Sequence, residues 1–189
     1  MEDRAAPDNE RFRRLFRENL DYVVKSLRRL GVGQGDCEDV AHELFLAVHQ
    51  RLSELDPERS PRPYLFAFAR RYASAYRSSA RVRHEAREGP PSDKPDSSPR
   101  AEEALSRRQE HDLVYVALDE LEPERREVFV MFEIDERPMD EIARDLQVPL
   151  TTVVSRLRLA RRDFEAAVRR ITAKRHHQTA AVVAREASR

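Results

Sequence analysis

The chain has 189 residues, enough for one ordinary domain or two small ones. Charged residues make up 37% and apolar residues 40%, and no apolar run approaches ~20 residues, so compact cores are expected and a transmembrane helix is not. The 35 basic and 35 acidic side chains cancel, which excludes any argument about partners from net charge alone.

Met1 to Glu10 is polar and acidic, with no apolar signal core, which predicts a cytoplasmic protein. Phe12, Phe16, Leu20, Val23, Leu27 and Leu30 then step by three and four, the pattern of an amphipathic helix, stopped by Gly31. Asp36 is placed to cap a second helix, with Asp39 in its first turn and Val40, Leu44, Val48 and Leu52 as its buried stripe. Cys37 is the single cysteine, so no internal disulfide can form, and with His42 and His49 it makes no zinc spacing; no metal is expected. Pro61 and Pro63 punctuate the chain before a third helix. There Leu65, Phe68, Ala69, Tyr72 and Tyr76 share one face, while Arg70, Arg71, Arg77, Arg81 and Arg83 gather elsewhere. This spacing leaves Tyr72 and Tyr76 open between core and contact.

Charge is segregated along this half. Asp36, Glu38, Asp39, Glu43, Glu54, Asp56 and Glu58 stand against Arg51 alone; the stretch from Arg59 to Arg87 is then almost purely basic, with only Glu85 against it. Such blocks fit either solvated helix faces or two kinds of partner surface, one of them for a polyanion.

Gly89 to Arg100, GPPSDKPDSSPR, combines proline, serine and glycine without apolar periodicity and reads as a disordered linker. It separates an N-terminal unit, residues 8–88, from a C-terminal unit, residues 101–175, and a tail, residues 176–189. The linker and its flanks could span roughly 50 Å when extended. In the second unit Leu105, Leu113, Ala117 and Leu121 mark a helix. Pro123 opens the next, with Val128, Phe129 and Phe132 inward. Pro138 opens a short helix carrying Ile142, Ala143 and Leu146, which Val148 and Pro149 break. A last helix runs from about Leu150 to Ile171, with Val153, Leu157, Ala160, Phe164 and Val168 inward; the tail beyond is open to disorder, to extension of that helix or to contact with a regulator, with disorder or fraying expected. Strand-like alternation is absent throughout. The expected fold class is all-α, two small helical domains joined by a flexible linker.

Met139 to Phe164 is the most informative segment. A short helix, a tight turn and a longer basic helix make either a helix-turn-helix or a plain helical hairpin. Ile142, Leu146, Val153 and Leu157 fill the crossing, and Ala143 is small enough to let the helices approach. The second helix then projects Thr151, Thr152, Ser155, Arg156 and Arg158 outward, residue types that suit a major groove. Arg161 and Arg162 lie further along and suit backbone phosphate. Glycine is common in this motif at the position before Val148, because it adopts positive φ freely; here the residue is Gln147. Positive φ at that position would cost ~1–2 kcal/mol.

At this point the chain resembles a known family. LDELEPERREVFVMFEIDERPMDEIARDLQVPLTTVVSRLRLARRDF resembles region 4 of extracytoplasmic-function (ECF) sigma factors. DCEDVAHELFLAVHQRL resembles the acidic helix of sigma region 2, and PRPYLFAFARRYASAYRSSARVR its promoter-melting helix. The resemblance implies that Asp36, Glu38, Asp39, His42, Glu43 and Phe45 meet core RNA polymerase. It implies that Arg70, Arg71, Tyr72, Tyr76, Arg77, Arg81 and Arg83 engage the −10 element, where arginines hold phosphates and aromatics stack on unpaired bases. It further implies that Thr151, Thr152, Val154, Ser155, Arg156 and Arg158 read the −35 element of promoter DNA, and that an anti-sigma factor regulates the protein. The chain departs from the family pattern at His42 (often glutamine), Tyr64 (often tryptophan), Arg71 (often asparagine), Ala75 (often aspartate) and Val154 (often basic). An apolar Val154 could touch a thymine methyl.

A stand-alone helix-turn-helix regulator is the alternative, but it would need neither the acidic helix nor the aromatic-basic one. A helical adaptor would leave the arginine face unexplained. His84, His111, His176 and His177 are isolated or lie in polar tails and form no acid–base constellation. No catalysis, cofactor or small-molecule substrate is therefore expected.

Overall fold

The computed structural model describes residues 5–85 and 112–186, with side chains for residues 8–80 and 112–175. All regular elements among these are helical. The chain divides into two compact units, Met1–Ser92 and Asp93–Arg189. The expected linker, Gly89 to Arg100, and Leu105 lie outside the described residues.

Three long helices build the first unit: α1 (Ala5–Arg29), α2 (Cys37–Gln50) and α3 (Arg62–Glu85). Gly31 ends α1 as expected, and the geometry explains why it is glycine. Its φ is 91°, a left-handed conformation that L side chains rarely adopt. Its N–H bonds the Arg28 carbonyl at 3.1 Å while the Val32 N–H reaches back to Leu27 at 3.0 Å, satisfying two carbonyls at the helix end. Leu27 and Val32, which flank this cap, are fully buried. The core adds Val23 from α1 and Leu30 just past its end, Ala41, Leu44, Phe45 and Val48 from α2, and Leu65, Phe66, Ala69 and Ala73 from α3. Two polar groups are buried among them but bond within α1: Asn19 Nδ2 donates to the Leu15 carbonyl at 2.9 Å, and Ser26 Oγ to that of Tyr22 at 2.8 Å.

Asp36 stands at the N-cap position of α2 but does not cap it. A 3₁₀ turn, Gln34–Asp36, runs straight into the helix, so the Asp36 backbone is already right-handed (φ −102°, ψ −7°). Its carboxylate instead accepts a 2.5 Å hydrogen bond from the Tyr76 hydroxyl of α3.

The second unit comprises a helical stretch at 112–119 (α4), α5 (Pro123–Phe129), α6 (Met139–Leu146) and α7 (Leu150–Glu186). Pro123 sits in the first turn of α5, where its missing N–H is no loss, and Pro138 precedes α6 with extended backbone. A π-helical turn, Val130–Ile134, continues α5. It shifts the inward face, so Val128, Phe129, Val130 and Met131 are all buried and Phe132 only half so. Ala117, Leu118, Ile142, Val153, Leu157 and Ala160 complete the core. Arg126 is also buried, paired with Asp119 at 3.2 Å and donating to the Leu121 carbonyl at 3.3 Å. It ties the start of α5 to the end of α4.

The tail corrects the expectation of disorder. Helix α7 continues past Ile171 to Glu186. Between Leu150 and Glu186 there is no glycine and no proline, and Ala180, Ala181 and Ala184 favour helix, so nothing in the sequence stops it.

Candidate nucleic-acid interface

Helices α6 and α7 are joined by Gln147, Val148 and Pro149. Gln147 has φ 55° and ψ 41°, so the left-handed conformation is required here and a non-glycine residue adopts it. The bonds repeat those at Gly31: the Gln147 N–H meets the Arg144 carbonyl at 3.2 Å, and the Val148 N–H meets that of Ala143 at 3.1 Å. The Pro149 carbonyl accepts from Thr152 and Val153, which starts α7 at once. Ile142 and Val153 are fully buried and Leu157 nearly so, which fixes the rotation of α7 about its axis.

That rotation turns Thr151, Val154, Ser155 and Arg158 to solvent, with Thr152 half-buried at the edge. Val154 is 47% exposed and Leu150 49%, a short apolar strip beside the polar groups. Ser155 Oγ donates to the Thr152 carbonyl at 3.0 Å. Arg158 has no hydrogen bond or ion pair among the described residues. Arg156 is different: it lies between the inward and outward faces and donates through Nη2 to Glu124 of α5. Further along, Arg161 bonds Glu133 at 2.6 Å and lies over the Phe132 ring, and Arg162 bonds Asp163 at 2.8 Å. Both arginines are exposed, and surface pairs of this kind are weak enough, ~0–1 kcal/mol, to be exchanged for phosphate. Hydrogen bonds from Arg162, and from Arg125 at 2.7 Å, hold the Asp163 carboxyl below its usual range.

In the first unit Glu38, Asp39, His42 and Glu43 of α2 face solvent together. Phe45 does not. It is 1% exposed and meets the rings of Phe12 and Phe16 at centroid distances of 6.4 and 4.8 Å. The expectation that Phe45 faces a partner is therefore corrected: one position earlier or later on a helix is a turn of about 100°. Leu46, which sequence reasoning passed over, is the exposed apolar residue of this helix at 54%. A shallow groove of about 460 Å³ runs beside the acidic face, lined by Phe16, Leu20, Asp21, Val24, Glu38 and His42.

On α3, Arg71 is exposed and stacks over the rings of Phe68 and Tyr72, 4.9 and 5.4 Å from their centroids. Tyr72 and Arg70 are half-buried. Arg77 donates to the Leu30 carbonyl at the end of α1, and Tyr76 to Asp36, so both knit the unit together. The side chains of Arg81 and Arg83 lie outside the described residues, though both positions are on α3. Tyr64 is half-buried at the start of this helix; burial raises its phenol above the ordinary value, and the Glu54 carboxylate adds to the effect.

Two family models match the chain in order: "Sigma-70 region 2" over residues 15–82 and "Sigma-70, region 4" over residues 111–164. This chain is a sigma factor of the sigma-70 family. It carries regions 2 and 4 in the ECF arrangement, and each match falls on one of the two units. As a sigma factor it binds core RNA polymerase and directs promoter recognition and transcription initiation; the family consists of non-enzymatic initiation factors. The stand-alone regulator is set aside, because region 2 is present. Solved structures share the fold. CnrH, solved in complex with the cytosolic domain of CnrY, is 24% identical with a TM-score of 0.57, covering 84% of this chain and 87% of that one. The sigma factor RpoE from Bartonella quintana, solved with the anti-sigma factor NepR, is 16% identical with a TM-score of 0.56, covering 82% of this chain and 96% of that one. A comparison with curated proteins found no match. No helix among the described residues is long and apolar enough to cross a membrane.

Proposed function

We propose that the sigma factor reads the −35 element with the N-terminal half of α7 and grips polymerase with the acidic face of α2. Thr151, Thr152, Val154, Ser155 and Arg158 face the bases, Arg156 approaches from the flank, and Arg161 and Arg162 take phosphates. The observation that carries this reading is Arg158, an exposed arginine without a partner among the described residues, beside hydroxyls and a valine on a helix whose rotation is set by the core. Glu38, Asp39, His42 and Glu43 form the polymerase face, with Leu46 as its apolar anchor and Asp36 at its end. Arg70, Arg71, Tyr72 and Arg77, followed by Arg81 and Arg83, line the helix that receives the −10 strand, with Tyr76 bonded to Asp36 behind them.

Residues 8–88 and 101–175 act as separate modules on a linker, residues 89–100, with residues 176–189 as a tail. An anti-sigma factor holds the protein inactive, as NepR is found on RpoE. The protein works in the cytoplasm, catalyses nothing itself and uses no cofactor. The test is reconstitution: core RNA polymerase with this chain should start transcripts at defined sites on genomic DNA, located by sequencing their 5′ ends. Arg158→Ala should weaken initiation ~5- to 100-fold at promoters that depend on the upstream element. Unchanged start sites and strengths would refute the assignment of α7.

A further inference from the structure

Arg156 and Glu124 come from different helices and meet at the edge of the proposed −35 surface. Glu124 is in the first turn of α5; Arg156 is in the second turn of α7. The arginine side chain is only 23% exposed, whereas the carboxylate that receives it is 69% exposed. One Arg156 nitrogen, Nη2, is engaged, and the remaining donors meet no group among the described residues. A carboxylate on a surface meant for DNA is repelled by phosphates, so its presence beside the reading helix calls for a reason.

We propose that Glu124 is a positioning residue that sets promoter specificity by holding Arg156. An unheld arginine is a long, flexible cation that meets any phosphate within reach, and so raises affinity for all sequences alike. Paired with Glu124, it presents no net charge to the backbone. It keeps donors in a fixed plane, which are rewarded only where two acceptors lie side by side, as O6 and N7 of guanine do in the major groove. Glu124 thus exchanges indiscriminate attraction for discrimination. The inference rests on the reading of α7 given above.

The experiment uses the full chain assembled with core polymerase and two templates, one promoter with its own upstream element and the same promoter with that element scrambled. Binding is measured across a salt series. Glu124→Ala should bind the scrambled template more tightly, with a salt slope steeper by about one. The ratio of binding to the two templates should fall roughly fivefold. Glu124→Gln, which keeps the size and removes the charge, should steepen the slope in the same way. Arg156→Ala should lower the ratio by itself, and adding Glu124→Ala to it should change the ratio no further. If Arg156→Ala lowers the ratio while Glu124→Ala leaves ratio and slope unchanged, or weakens both templates equally, this proposal is overturned and the reading of α7 stands. If Arg156→Ala leaves the ratio unchanged, Arg156 is no base reader and this proposal is overturned, while the reading of α7 is decided separately by Arg158→Ala. Circular dichroism at each step checks that helicity is retained.

Discussion

Replacing Gln147 with glycine should stabilise the helix-turn-helix. The residue sits at φ 55° with its side chain exposed, so nothing is lost but the strain of a left-handed backbone. That strain amounts to ~1–2 kcal/mol for a residue with a Cβ. Glycine returns part of the gain, because its unfolded state is freer by ~0.4–1 kcal/mol. The net effect is a stabilisation of about 0.5–1 kcal/mol. Hydrogen exchange on the full chain isolates it: amides of α6 and of the first turns of α7 should exchange about two- to fivefold more slowly in Gln147→Gly, while those of α1 to α3 stay unchanged. Gln147→Val is the converse, since a branched Cβ suits this conformation worst, and protection should fall by at least as much. Equal protection in all three proteins would refute the claim that the turn is strained.

Phe45→Ala should destabilise the first unit by ~3–5 kcal/mol, read by urea unfolding, because it empties a ring-lined core, whereas Leu46→Ala should change stability by less than ~0.5 kcal/mol. The same Leu46→Ala should weaken binding to core polymerase in a competition assay, since an exposed leucine on an acidic face is suited to anchor a partner. Gly33→Ala would place a Cβ 2.9 Å from the Tyr76 hydroxyl and 3.3 Å from Asp36 Oδ2; it should break that hydrogen bond and lower the melting temperature of the first unit. Asp163 has a lowered folded pKa, so its pairing with Arg162 and Arg125 supports the second unit above the unfolded value near ~3.9 and is lost as pH falls through the folded one. Asp163→Asn should therefore remove under ~1 kcal/mol at neutral pH and progressively less as the pH falls below the unfolded value, measured by urea titration across the acid range.

Much of the fold was legible because its punctuation is chemical. Gly31 and Pro123 mark helix ends through one backbone property each, and these survive any packing. The turn residue Gln147 was legible as an open question: the motif often places glycine there, Gln147 is disfavoured at positive φ, and the packed turn takes positive φ all the same. Helix faces were harder to read. On α2 the stripe expected at Val40, Leu44, Val48 and Leu52 runs in fact through Cys37, Ala41, Leu44, Phe45 and Val48. That modest rotation moves Phe45 inward and leaves Leu46 out. In α5 a single π turn adds a residue to the count, so a period of 3.6 stops predicting which side is buried after Phe129. Pairings between distant positions, such as Arg126 with Asp119 or Arg156 with Glu124, carry no signal in spacing at all. They depend on where two helices cross, which only the packed structure specifies.

The uninterrupted hydrogen-bond ladder of α7 has a practical result. Thirty-seven residues at ~1.5 Å each make a rod of about 55 Å, whose leading end is the one proposed above to meet the bases. A fluorophore mounted near Glu186 would swing with the leading end as one piece. Its angle would report docking and release of the promoter without a dye ever touching the DNA.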